Sequence, residues 1–207
     1  MNSDASVCQA HDYLLALGEL AERFAQIERA PRYTDGMREN DAEHSFHLAI
    51  SATELAANHY PDLDIGLITQ FSLVHDLPES YCGDVRTFEI SDQDRAKKEI
   101  AEKAATARLL NELPPHTAEL LVRYENQVEP EARFVRLVDK MLPAIINITS
   151  GDADTFKEDY GINSIEELQS NREAFAAKLQ AMFPEFQFIH LVMNKILTTS
   201  TEHEFHQ

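Results

Sequence analysis

The sequence predicts an all-α fold, and three observations support that prediction. The chain of 207 residues contains only eight prolines and six glycines, so few positions favour turns or breaks. Apolar side chains recur at intervals of three and four residues over long stretches, which is the spacing of one helix face. No stretch alternates apolar and polar residues in a convincing strand pattern. Hydrophobic residues make up 43% of the chain, enough for one domain with a buried core.

Seven or eight helices account for the periodic segments. In chain order, the predicted helices cover about residues 11–27, 41–60, 63–77, 91–113, 114–126, 131–149 and 164–182, and a last helix begins near residue 184. Pro143 is expected to kink or break the helix that contains it. The stretches 29–40, 78–90 and 151–163 are predicted to be loops. We expect a single domain over residues 1–207, with a catalytic core at about 29–145 and C-terminal helices at about 163–205.

Charge and cysteine usage exclude several classes of function. Eighteen basic residues against 36 acidic ones give a net charge of −18, which disfavours binding to nucleic-acid polymers and anionic membranes. The two cysteines, Cys8 and Cys82, have neither metal nor redox spacing. We see no secretory signal and no apolar run of membrane-spanning length. These features are typical of a cytoplasmic protein.

Four polar side chains fall on helix faces that are otherwise apolar. His44 shares a face with Leu48, His75 follows Phe71 by four residues and precedes Asp76, and Asp139 follows Val135 by four residues. Each of them alone is more often a hydrogen-bonded core residue or a cap. Together, two imidazoles and two carboxylates are a suitable ligand set for one divalent ion. Such a set leaves coordination positions open for water or substrate.

The order of these residues resembles the HD-domain metal-dependent phosphohydrolases. Three stretches carry the resemblance: RENDAEHSFHLA around His44, HDLPESYCGD around His75 and Asp76, and VRLVDKM around Asp139. Within that superfamily they are most similar to the 5'-deoxynucleotidases, which hydrolyse deoxynucleoside 5'-monophosphates. The resemblance covers about residues 10–200.

The resemblance implies roles for individual residues. It implies that His44, His75, Asp76 and Asp139 hold one divalent transition metal ion, such as Mn or Co. Glu79 and Asp84 match the catalytic acids of the family, and Arg29 matches the arginine that binds the substrate phosphate. It further implies a homodimer that acts on a small nucleotide. Without the resemblance, Glu79 could equally be a solvated loop acid, Asp84 a turn residue and Arg29 a surface residue at a helix end.

Two positions depart from the expected pattern. In bacterial 5'-deoxynucleotidases the residue after the phosphate-binding arginine is typically a tryptophan that helps to select the deoxy sugar. Here that residue is Ala30, and the chain contains no tryptophan. His47 lies three residues after His44 and could share its helix face, so it is a second candidate ligand. We interpret His47 as a residue beside the site or a structural one.

Three alternative functions are considered. The metal site could serve another phosphate ester, such as a nucleoside triphosphate, a cyclic nucleotide or a non-nucleotide monophosphate. A di-iron HD oxygenase generally needs two more histidines between Asp76 and Asp139, and only His116 lies there. A non-catalytic HD module would usually have lost ligands, whereas all four are present. The sequence therefore favours a metal-dependent phosphomonoesterase.

Overall fold

The computed structural model describes residues 4–84, 92–151 and 161–205, and it confirms the all-α fold class. The helices are α1 (Asp4–Phe24), α2 (Asp41–His59), α3 (Ile65–Val74), α4 (Glu79–Cys82), α5 (Asp92–Leu109), α6 (Pro115–Asn126), α7 (Pro130–Asp139), α8 (Leu142–Ser150), α9 (Ile165–Met182) and α10 (Gln187–Phe205). Two short strands, β1 (Glu28–Arg32) and β2 (Arg38–Asn40), form an antiparallel hairpin. No described helix is both long enough and apolar enough to cross a membrane.

Helices α2, α3 and α7 form the centre of the fold. The predicted apolar stripes face one another there, since Leu48 of α2, Phe71 of α3 and Val135 of α7 are completely buried. Helix α6 packs against α3, and α10 packs against α8 and α9. The polar ends of the three central helices therefore meet above a closely packed apolar core.

The prediction of a loop at residues 29–40 is wrong, because the hairpin of β1 and β2 lies there. Its turn depends on Gly36, whose φ of 83° favours glycine. The amide of Tyr33 donates to the carbonyl of Met37, which closes the turn. Neither strand alternates apolar and polar residues, so the hairpin leaves no period-two pattern in the sequence.

Two predicted helices are shorter than expected. Helix α3 ends at Val74, so His75 and Asp76 lie in the turn that follows it. The segment 131–149 is two helices, α7 and α8. The break expected at Pro143 is therefore present, but it lies at residues 140–141, just before the proline. Pro143 stands in the first turn of α8, where its missing N–H costs nothing. Both breaks bring polar side chains to the end of a helix, where they can turn toward a shared site.

Three further boundaries differ from the prediction. The short helix α4 lies within the predicted loop 78–90, α1 begins seven residues earlier than predicted, and α5 ends at Leu109, four residues before the predicted end. The remaining boundaries agree closely. Helix α2 begins at Asp41 and α9 covers Ile165–Met182. The Ser164 side chain accepts a hydrogen bond from the Glu167 amide, as expected of a helix cap. The predicted helix start at Ser91 and most of the predicted loop 151–163 lie outside the described residues.

Candidate metal centre and active site

The four predicted metal ligands converge in the structure. One nitrogen or oxygen atom from each of His44, His75, Asp76 and Asp139 lies within 4.8 Å of the corresponding atoms of the other three. His44 comes from α2, Asp139 is the last residue of α7, and the other two follow α3. The His44 and His75 rings are 5.3 Å apart between centroids. Residues separated by as much as 95 positions thus meet at one point.

The ring of His75 is held in the tautomer that a metal requires. Its Nδ1 donates a hydrogen bond of 2.8 Å to the carbonyl oxygen of Ser72. A carbonyl only accepts, so in the neutral ring the lone pair is on Nε2. That Nε2 lies 2.8 Å from Asp76 Oδ2, and among the described residues no partner gives it a hydrogen bond of acceptable geometry. A buried nitrogen with its lone pair directed at two carboxylates is suited to bind a cation.

His44 is completely buried between two acids. Its Nε2 donates to Asp139 Oδ1 at 2.8 Å, and its Nδ1 lies 3.4 Å from Glu39 Oε2. Burial opposes a charge on the ring, but the hydrogen bond to Asp139 and the nearby carboxylate of Glu39 outweigh it and raise the pKa of His44 to about 9. A cation in the cluster would take the place of that proton, because a ligating imidazole is neutral.

The two carboxylates of the cluster are ionised. Burial opposes their charge, yet in the metal-free site the His75 ring, when it carries a proton on Nε2, holds the pKa of the Asp76 carboxyl well below its usual range. The pKa of Asp139 is likewise lowered, since Lys140 Nζ lies 2.7 Å from its Oδ2 and His44 hydrogen-bonds its Oδ1. Two anionic carboxylates and two imidazoles fit a divalent transition metal ion such as Mn, Co, Fe or Zn.

Arg29 lies beside the cluster at the start of the hairpin. Its Nη1 donates to Asp41 Oδ1 at 3.2 Å and to Asp76 Oδ2 at 3.1 Å, and it lies 3.9 Å from Glu79 Oε2. Burial opposes its charge, but the carboxylates of Asp76, Asp139, Asp84 and Glu79 outweigh this and raise the pKa of Arg29. The permanently charged guanidinium of Arg29 therefore lies directly beside the predicted metal ligands.

The predicted acids Glu79 and Asp84 flank the same space. Glu79 opens α4 with only 9% of its surface exposed. Burial, with the negative charges of Asp76 and Asp84, raises the pKa of Glu79 to about 11. Asp84 is partly buried after Gly83, whose φ of 73° ends the short helix. Its negative charge contributes to the raised pKa values of Arg29, Asp41 and Glu79.

Three charged residues at the site carried no prediction. Glu39 in β2 and Asp41 at the start of α2 are completely buried, and Lys140 contacts Asp139. Burial raises the pKa of Asp41 to about 7, although the Arg29 guanidinium opposes this. The only available signal was the density of acids in RENDAEH, which does not separate buried acids from those that begin a helix.

The competing histidines stay outside the cluster. His47 is half-buried, and burial lowers its pKa. It does not belong to the group formed by His44, His75, Asp76 and Asp139. His116 is exposed in the first turn of α6 and is also absent from that group. Among the described residues, the site therefore lacks the additional histidines of a di-iron centre.

The fold and the site together define a helical protein with a centre built for a divalent metal ion. A family model described as HD domain matches residues 21–182. Because this match spans most of the chain, the protein belongs to the HD domain family.

Curated relatives and solved structures are consistent with this family. The 5'-deoxynucleotidases HDDC2 of Bos taurus and Homo sapiens are each 28% identical over 122 residues, which cover 56% of this chain and 58% of each relative. The match thus spans little more than half the length of those relatives. A structure titled predicted metal-dependent phosphohydrolase, from Magnetospirillum magnetotacticum MS-1, has a TM-score of 0.71 at 24% identity, covering 93% of this chain and 94% of that one. The PH0347 protein of Pyrococcus horikoshii OT3 has a TM-score of 0.55 at 21% identity, covering 87% of this chain and 98% of that one. At these identities the two structures show the shared fold.

Proposed function

We propose that the protein is a metal-dependent phosphomonoesterase that hydrolyses nucleoside and deoxynucleoside 5'-monophosphates. The observation that carries the proposal is the position of Glu79 and Arg29 directly beside the cluster of His44, His75, Asp76 and Asp139. Phosphoryl transfer to water needs a cationic phosphate site and a proton acceptor near the attacking water. This arrangement offers both within a few ångströms.

The chain's own residues have distinct tasks in this proposal. When bound, a divalent ion would supply Lewis-acid polarisation of the phosphoryl group and of water. Arg29 holds the phosphate through its guanidinium, which suits two phosphate oxygens at once. Asp41 and Glu39 hold Arg29 from behind, with side-chain contacts of 3.2 and 3.4 Å. The substrate phosphate is thus fixed against the centre before reaction.

Glu79 is the residue that we assign to proton transfer. Its carboxylate accepts the proton of the attacking water as the new P–O bond forms, and the ester P–O bond breaks on the opposite side. The leaving 5'-oxygen then takes a proton, which Glu79 can return through intervening water because the two oxygens lie on opposite sides of phosphorus. A bound cation would offset part of the surrounding negative charge and lower the raised pKa of Glu79 toward neutrality. A carboxyl group with such a pKa can both accept and donate a proton near neutral pH. Asp84 contributes to that raised pKa, and we propose it as a second acid of the reaction.

The substrate class is proposed from the deoxynucleotidase relatives and the sequence resemblance. Ala30 is 4% exposed within β1, and a methyl group cannot exclude a 2'-hydroxyl. We therefore propose that ribonucleotides are accepted together with deoxynucleotides. The homodimer, the cytoplasmic location and the absence of nucleic-acid polymers among its partners stay predictions.

The experiment is a phosphate-release assay. Protein loaded with Mn²⁺ or Co²⁺ is incubated with ribo- and deoxynucleoside 5'-monophosphates, and Glu79→Gln is the matched inactive variant. We expect release from both sugars and a loss of about 100-fold or more in Glu79→Gln, within the range that a general base contributes. Phosphate release only from nucleoside triphosphates or non-nucleotide esters would show that the substrate is not a nucleoside monophosphate, although the phosphohydrolase chemistry would stand. No release from any phosphate ester would overturn the proposal.

A further inference from the structure

Glu39 lies behind the centre with its charge incompletely satisfied. Its side chain is completely buried on β2, with Oε2 3.4 Å from His44 Nδ1 and 3.4 Å from Arg29 Nε. These distances and angles fall short of good hydrogen bonds. Within the described parts of the chain, neither oxygen of Glu39 and neither facing nitrogen has another hydrogen-bond partner.

An incompletely paired, buried carboxylate is costly in free energy. Two neighbouring donors can satisfy this carboxylate. Arg29 Nε is a permanent donor, and His44 Nδ1 is a donor whenever Nε2 serves as a ligand. Both donors face one oxygen atom, Glu39 Oε2. That atom lies between the candidate metal ligand on α2 and the candidate phosphate-binding group on β1.

The geometry matches a known way of tuning metal sites. An imidazole that ligates through one nitrogen commonly donates from the other to a carboxylate, which fixes the tautomer and increases ligand basicity. In His44, Nε2 faces Asp139 within the cluster and Nδ1 faces Glu39. Deprotonation of Nε2 for a metal leaves the proton on Nδ1, where Glu39 can accept it in a hydrogen bond.

We propose that Glu39 is a positioning residue that couples the metal ligand His44 to the phosphate-binding Arg29. By holding both groups on one oxygen, it strengthens metal binding and also orients the guanidinium toward the phosphate. The part that concerns Arg29 rests on the proposed function, whereas the part that concerns His44 needs only the metal centre.

The test measures binding and not turnover. Metal-free full-length protein is titrated with Co²⁺ by calorimetry, and the visible absorption of bound Co²⁺ reports the ligand field. Inorganic phosphate is then titrated into the Co²⁺-loaded protein. The variants are Glu39→Gln, which keeps the shape and removes the charge, and Glu39→Asp, which keeps the charge on a shorter side chain. Glu43→Gln is the matched control, because Glu43 is exposed four residues along the chain and caps α2 through the Asn40 amide.

We expect Glu39→Gln to weaken Co²⁺ binding by about 10- to 100-fold, to alter the Co²⁺ spectrum and to weaken phosphate binding. Glu39→Asp should recover part of both affinities, and Glu43→Gln should match the parent. If Glu39→Gln folds poorly, Glu39→Asp is compared at an equal folded fraction. Parental Co²⁺ affinity and spectrum in folded Glu39 variants would overturn the proposal.

Two further outcomes separate the parts of the inference. Weaker Co²⁺ binding with parental phosphate affinity would overturn the coupling to Arg29. If both affinities fall as expected, yet the parent protein releases no phosphate from any ester, the proposed function fails and the positioning role of Glu39 stands.

Discussion

At the residue scale, the site is a concentration of buried charge that the chain balances only in part. The carboxylates of Asp41, Asp76 and Glu79 surround the single guanidinium of Arg29. Such groups cannot all ionise in a poorly solvated space without a compensating cation. The raised pKa values of Asp41 and Glu79 express that excess of negative charge. A divalent ion would relieve it, so binding and ionisation are linked at this centre.

The two histidines of α2 give a direct test of ligand assignment. We expect His44→Ala to weaken Co²⁺ binding by more than about 100-fold, because loss of a ligand costs more than loss of its outer partner. His47→Ala should change the affinity by less than about threefold, since His47 stands outside the cluster. Calorimetric titration of both variants checks this, and each serves as the other's control for a histidine lost from the same helix. Equal losses would contradict the assignment.

Lys140 should oppose metal binding. Its ammonium lies 2.7 Å from Asp139 Oδ2, and the side chain is 38% exposed. A positive charge so close to the centre repels a cation, although solvent screening reduces the effect. We expect Lys140→Met to tighten Co²⁺ binding by about 3- to 10-fold, and Lys140→Arg to leave it nearly unchanged. Weaker binding in Lys140→Met would show instead that the ammonium is needed to orient Asp139.

The convergence of the four predicted ligands could be predicted because His44, His75 and Asp139 each lie on an apolar stripe at helical spacing, and Asp76 adjoins His75. A polar residue in a buried stripe is conspicuous in a periodic sequence. Glu39 and Asp41 interrupt no stripe, because Glu39 lies in a three-residue strand and Asp41 in the first turn of a helix. Acids are favourable in a first turn, so nothing in the local pattern indicates that these two are buried. Their role depends on contacts with Arg29, which is ten and twelve positions earlier in the chain.

At the element scale, the site is built where secondary structure ends. Asp139 is the last residue of α7, and His75 and Asp76 follow the end of α3. Helix periodicity predicted the elements that carry these residues but extended α3 past the His-Asp pair and merged α7 with α8. Capping and turn geometry decide those ends, and apolar spacing does not record them. The hairpin was missed for a similar reason, since its strands have no alternating pattern.

The N-terminal end of α2 links the hairpin to the centre through a capping box. The Asn40 side chain accepts from the amides of Ala42 and Glu43, and the Glu43 side chain accepts from the Asn40 amide. We expect Asn40→Ala to lower the free energy of unfolding by about 1 kcal/mol, because orphan amides lose their acceptor. Asn40→Ser, which can still cap, should stay close to the parent. Urea unfolding of metal-free protein measures both, and equal stability of the Ala and Ser variants would contradict the role of the cap.

At the scale of the whole molecule, a chain with a net charge of −18 folds around a centre that is itself rich in carboxylates. Without a metal, the folded protein therefore binds more protons than the unfolded protein, because some of its side chains stay protonated at a pH where they would lose their protons in the unfolded chain. His44 keeps its proton up to a pKa of about 9, and Glu79 up to a pKa of about 11. Both values are above those of the free side chains.

The stability of the metal-free protein should therefore fall as pH rises from about 7 to about 8.5. In this range the folded state binds more protons than the unfolded state at both His44 and Glu79. Asp41, with a pKa of about 7, adds to the fall only near the lower end of the range. Each group contributes a loss of up to about 1.4 kcal/mol per pH unit. The lowered pKa values of Asp76 and Asp139 have no effect in this range, because their stabilisation is lost only under acidic conditions. Urea unfolding in the presence of a chelator measures the slope.

The control for this pH dependence is Glu79→Gln, which cannot titrate and should remove about half of the slope, since His44 then remains the principal contributor. Saturating Co²⁺ should oppose the fall, because the metal binds the deprotonated imidazole and its affinity rises with pH. A slope in Glu79→Gln equal to that of the parent would show that Glu79 is already ionised in the folded, metal-free protein. The acid would then enter the reaction only as a base, and the proton that leaves with the 5'-oxygen would have to come from another group.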